Sequence, residues 1–91
     1  MAYQIFFKPS AEKAFSKLSE QEKVRLNDSI DALADNPRPP GSIKMQGFKD
    51  TLRIRVGQYR VIYQIQDEIL MVLVVRIGHR KEVYRSLPRL D

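Results

Sequence analysis

Apolar and polar positions alternate most regularly from Leu52 to Val56, at the head of the stretch from Leu52 to Tyr84 around which the rest of the chain is organised. Leu52, Ile54 and Val56 alternate with Arg53 and Arg55, the period-2 pattern of a half-buried strand. Gly57-Gln58 supplies a two-residue turn with glycine first, as a type II′ hairpin requires, and residues 59–65 carry the chain back. Upstream, residues 3–7 are aromatic and β-branched and predict a first strand, ended by Lys8-Pro9-Ser10. Ser10 is placed to cap a helix whose apolar positions are Ala11, Ala14, Phe15 and Leu18. Ser19 and Glu22 form the Ser-x-x-Glu capping box of a second helix with the stripe Leu26, Ile30, Leu33 and Ala34, stopped by Asn36-Pro37. Helices joined so tightly form a hairpin that covers one face of a sheet. Residues 38–50, with Pro39, Pro40, Gly41 and Gly47, read as a loop that is either functional or a mere crossover. After a turn at Gln66-Asp67-Glu68, residues 69–77 are almost continuously apolar and predict a central strand covered on both faces. The expected fold class is α+β. An N-terminal strand and a helical hairpin precede a three-stranded antiparallel meander, forming one sheet with both helices on one face.

Length and composition narrow this. At 91 residues the chain is expected to be a single domain, 1–91. No apolar run approaches the roughly 20 residues of a membrane span, and the start lacks the layout of a signal peptide, so a cytoplasmic protein is expected. The absence of cysteine removes disulfides and thiolate metal sites, and a single histidine leaves little to hold a metal. The net charge of +5 is unevenly placed: residues 1–36 carry five Lys/Arg against six Asp/Glu, residues 37–91 eleven against five. The basic excess therefore travels with the hairpin and suggests a nucleic acid or an acidic protein partner.

The register implied by a two-residue turn sharpens the point. Val56 would face Tyr59, Arg53 would face Ile62, and Arg55 would face Arg60 directly, with Cβ atoms about 5 Å apart. Opposed like charges destabilise a sheet, so the fold has no use for this arrangement, whereas a site for a polyanion does. Arg53, Arg55 and Arg60 should point away from the helices. Further on, Gly78-His79-Arg80-Lys81-Glu82-Val83-Tyr84 adds basic and titratable groups and an aromatic near the end of the central strand.

With these residues in place the chain resembles the RelE/ParE superfamily of bacterial and archaeal toxins from type II toxin–antitoxin pairs, on its RelE-like branch. The carriers are Ala14, Phe15 and Leu18, Asn36-Pro37, Gln46-Gly47, Leu52-Arg53-Ile54-Arg55-Val56-Gly57, Tyr59-Arg60-Val61-Ile62-Tyr63, and Gly78-His79-Arg80 followed by Val83-Tyr84. The resemblance implies the RelE-like fold and an endoribonuclease, an mRNA interferase acting in the ribosomal A site without metal or other cofactor. The ribose 2′-OH attacks the adjacent phosphate and expels the 5′-oxygen. Carried over, Arg53 and Arg55 contact phosphates, Arg60 clamps the scissile phosphate, and Arg80 is a second clamp or the proton donor. Tyr84 stacks on a base or orients the 2′-OH, its alternative being a core aromatic. Lys44, Lys49 and Lys81 are the accompanying RNA-binding candidates. Relatives often have lysines where this chain has Arg53 and Arg55, and arginine is a poor general base. His79 is the candidate to replace it, the alternative being a hydrogen-bonded edge residue. An acidic RelB-like antitoxin is the expected partner, beside the ribosome and mRNA. The alternative function is that of a ParE-like toxin, which inhibits DNA gyrase by binding and has no nuclease chemistry.

Overall fold

The computed structural model describes residues 2–79. Strand β1 (Gln4–Phe7) leads into helices α1 (Pro9–Ser16) and α2 (Glu20–Ala32). Then come strands β2 (Ile43–Lys44), β3 (Thr51–Val56) and β4 (Tyr59–Gln66), a 3-10 turn at Asp67–Ile69, and β5 (Met71–His79). Helix α1 starts earlier than a Ser10 cap would have it: Pro9 is its first residue and Lys8 its N-cap, without a side-chain cap bond. Proline suits that position because its φ is already helical and the N–H it lacks would have had no partner. Ser19 does cap α2: the Glu22 N–H donates to Ser19 Oγ at 3.2 Å, and the Ser19 N–H donates to Glu22 Oε1 at 3.2 Å. The helix ends at Ala32, short of Asn36-Pro37, and a tightened turn follows in which Leu33 and Ala34 donate to Ile30 and Asp31.

The sheet has the order β1-β5-β4-β3-β2. The meander of β3, β4 and β5 is present, widened at both edges. Strand β1 joins β5 in parallel, and β2 emerges from the segment read as loop to pair with β3, Ile43 opposite Arg53 and Lys44 opposite Leu52. A two-residue strand is too short to show any period, which is why the sequence reads as loop there. The β3–β4 register is the one the turn implies, and Gly57 holds φ +62° while Gln58 does not enter the left-handed region, as a type II′ turn requires. A side chain at Gly57 would also meet Arg25 Nη1 at 3.0 Å.

One face of the sheet packs on the helices. Leu26, Ile30 and Leu33 meet Leu52, Ile54, Val56, Val61, Tyr63, Ile65, Val72, Val74 and Ile77 in a single core. On the other face Ile62 and Val75 are buried beneath Met45 and Phe48, with Leu73 beside them. Strand β5 is thus covered on both sides, as its composition demands, and the second cover, Met45 and Phe48, comes from the 38–50 segment.

Two polar anchors hold the start of that segment. The buried Tyr63 hydroxyl donates to the Pro37 carbonyl at 2.7 Å, and desolvation pushes its pKa up to about 12, so it stays a donor. Arg38 grips Asp67 with two hydrogen bonds, 2.8 and 3.2 Å, and the Tyr3 hydroxyl donates to the same carboxylate at 2.5 Å. The Arg38 guanidinium first, and the Tyr3 hydroxyl second, hold Asp67 down at about 2, against an ordinary 3.8. A carboxylate with a depressed folded-state pKa stabilises the fold above its unfolded pKa and stops doing so as pH falls through the folded one. Asp67→Asn is therefore expected to lower the melting temperature at neutral pH, with the gap to wild type closing as the pH approaches about 2. The pair is half exposed, so the effect is modest and shrinks in high salt. Thermal melts of both proteins across the acid range check this; a gap that persists at the lowest pH contradicts it.

Candidate functional site

Because β3 and β4 alternate in phase, every second residue of the hairpin leaves the helix-covered face. Arg55 stands opposite Arg60, and Arg53 opposite Ile62. With Gly41 and Ile43 from the preceding segment, the three arginines line a pocket of about 190 Å³. No acidic side chain takes part in that lining. The ion pairs Lys23–Glu20 and Arg38–Asp67 both lie away from the pocket. Arg55 and Arg60 make long bonds to main-chain carbonyls: Arg55 Nε donates to Gly57 at 3.5 Å and Arg60 Nη1 to Tyr59 at 3.4 Å. Such contacts orient a guanidinium without consuming it. Five donors per arginine, planar and charged, match the oxygens of a phosphate group. Such a lining suits an anion.

The other residues singled out from sequence do not all converge here. His79 pairs with Tyr59 and meets its ring edge-on at 5.9 Å and 79°, on the helix-covered side of the sheet. It is therefore turned away from Arg60, whose partner on β5 is Gly78. The period of 2 decides this: neighbours on one strand face opposite ways. Lys44 shares a face with Leu52, not with Arg53, and with Lys49 it borders a hollow formed by residues 44–49. The two lysines are thus not brought to the pocket. Arg80, Lys81 and Tyr84 lie outside the described residues. Among those described, no group of His, Asp and Glu is arranged to hold a metal ion, and no helix is long and apolar enough to cross a membrane.

One arginine escaped the sequence reading. Strict alternation along β5 puts Arg76 with Val72 and Val74, facing the helices. A bulge intervenes: β4 pairs Tyr63 with Val74 but Ile62 with Arg76, so Val75 and Arg76 both stand against Ile62. The phase of the strand flips there, and Arg76 joins the arginine face. The signal was present as Val74-Val75, two apolar residues in succession, followed by core residue Ile77 three positions after Val74.

Comparison with known proteins agrees with this geometry. Residues 5–84 match the family described as the ParE toxin of type II toxin–antitoxin systems, parDE. A RelE-like toxin protein of Escherichia coli is 34% identical over 83 residues, covering 89% of this chain and 86% of its own. The mRNA interferase toxin RelE of Escherichia coli strain K12 is 32% identical over 88 residues, 92% of each chain. The toxin in the intact RelBE toxin–antitoxin complex of Escherichia coli superposes with a TM-score of 0.78 at 29% identity, over 86% of this chain and 96% of that one. With its two helices on a mixed sheet and its basic hairpin, the chain belongs to the RelE/ParE superfamily of type II toxins, as a RelE-like member.

Proposed function

We propose that this toxin is an mRNA endoribonuclease that works in the A site of the ribosome and so blocks translation in the cytoplasm. The observation that carries the reading is the pocket of Arg53, Arg55 and Arg60 with no carboxylate in its lining. In the reaction the 2′-oxygen bonds to phosphorus, the bond to the 5′-oxygen breaks, the 2′-OH loses a proton and the 5′-oxygen gains one. Negative charge grows on the phosphoryl oxygens as the fifth bond forms. Preorganised cations placed around them supply the largest single share of such catalysis. Arg60, next to the hairpin turn and opposite Arg55, is the clamp on the scissile phosphate, and Arg53 and Arg55 hold the flanking charge. An mRNA bound to a ribosome arrives with its backbone already ordered, so positioning adds to the electrostatic term.

Neither a histidine nor a carboxylate lines the pocket among the described residues, and His79 looks the other way. His79→Ala is therefore expected to leave the single-turnover rate within about threefold of wild type, whereas loss of a true general base costs 10²–10⁴-fold. A drop of the larger size, together with loss of an inflection near neutral pH in the rate profile, would restore the histidine as the base.

The decisive experiment adds the purified protein to ribosomes paused on a defined mRNA and maps the mRNA ends by primer extension. A new end inside the A-site codon, missing with Arg60→Ala, supports the proposal. Intact mRNA from protein that still arrests growth overturns it and points to gyrase. The same face is also the natural landing place of an acidic antitoxin, as the basic excess of residues 37–91 suggests. That complex should weaken as salt rises.

A further inference from the structure

Arg76 has no role in the scheme above, and its surroundings call for one. It is half-buried on the arginine face, and among the described residues no hydrogen bond or ion pair engages it. A guanidinium partly withdrawn from water is a strong donor set that phosphate oxygens match. Its position is specific. Gly78 lies directly opposite Arg60, and Arg76 is the next residue of β5 on the same face. Arg76 is therefore the diagonal neighbour of Arg60, about 7 Å away, and the residue between them has no side chain to stand in the way. It does not line the pocket formed by Arg53, Arg55 and Arg60. On its other flank Ile62 is roofed by Met45 and Phe48, which closes the alternative route across the sheet.

We propose that Arg76 is an additional RNA-binding residue, holding the phosphate next to the scissile one after the backbone leaves the pocket and passes over Gly78. The inference rests on the ribonuclease reading. It assigns Arg76 to binding and register on the message, not to the reacting phosphate. The β-bulge is the device that makes this contact, since without it the side chain would point into the helix-side core.

The test is single-turnover cleavage on programmed ribosomes, read as rate and half-saturating toxin concentration at several salt concentrations. Arg76→Gln is expected to raise the half-saturating concentration about tenfold, the size of one charged hydrogen-bond set, while the saturated rate changes little. The salt dependence should fall by about one phosphate contact, and Arg76→Lys should restore most of that slope. A message with a neutral methylphosphonate on either side of the cleaved position gives the matching half of a double-substitution cycle. At one of the two positions it should weaken wild type but not Arg76→Gln. An unchanged half-saturation and slope in Arg76→Gln overturns the proposal while leaving the ribonuclease reading intact. So does equal impairment of the Gln and Lys variants with an unchanged slope, which would mark a purely structural residue. If wild type itself makes no cut, both fall together.

Discussion

Replacing Arg60 by alanine is expected to lower the single-turnover rate of mRNA cleavage by about 10²–10³-fold, the loss that follows removal of one preorganised donor to a developing oxyanion. The same substitution should leave stability within about 0.5 kcal/mol of wild type. Arg60 and Arg55 face each other across the hairpin, and removing one relieves a repulsion that costs some tenths of a kcal/mol. What holds the hairpin together is the opposite side, where Leu52, Ile54, Val56, Val61 and Tyr63 enter the core. Activity and stability should therefore separate cleanly. Primer extension on paused ribosomes gives the first quantity and denaturant unfolding the second. A variant that melts early shows that Arg60 belongs to the fold, and one that cleaves like wild type removes it from the site.

The converse holds for Leu26→Ala, which should cost about 2–5 kcal/mol. Leu26 is fully buried where α2 lies on the sheet, and shortening it opens a cavity among residues that are themselves closed to solvent. A chain of 91 residues has about 5–13 kcal/mol of stability in all, by the usual per-residue range, so the loss would be a large fraction. Val24 sits on the same helix at 61% exposure, and Val24→Ala should stay within about 0.5 kcal/mol. Urea unfolding of the pair measures both. A cost below about 1 kcal/mol for Leu26→Ala would mean that the helix packs on the sheet otherwise than described.

The two experiments probe the two faces of one hairpin. On one side alternate residues bury; on the other they repel. A strand of period 2 can do both at once without conflict, since neither face must compromise for the other. The cost of the arginine face is met by the apolar face, and that is how a destabilising site persists in a small domain.

Much of this was open to reading from the chain. Residues 52–65 specify their own register, because a two-residue glycine turn leaves the alternation one way to bury its apolar half, and the opposition of Arg55 to Arg60 follows. The helical hairpin is equally local: a capping box at Ser19 and a stripe of Leu26, Ile30 and Leu33 need only a few turns of helix to declare themselves. Contacts made far along the chain carry no such mark. The parallel pairing of β1 with β5, the pairing of β2 with β3, and the roof of Met45 and Phe48 over Ile62 depend on where distant segments dock. So does the bulge beside Ile62, a shift of one residue that sends Arg76 to the arginine face. His79 stays on the face of Tyr59, half a strand period out of step with Arg60. Local periodicity thus nominated Arg53, Arg55 and Arg60 as candidates for an anion site. Which ones share its face, and what walls it, was left to long-range strand pairing, whose register is set by packing and not by any neighbour in sequence.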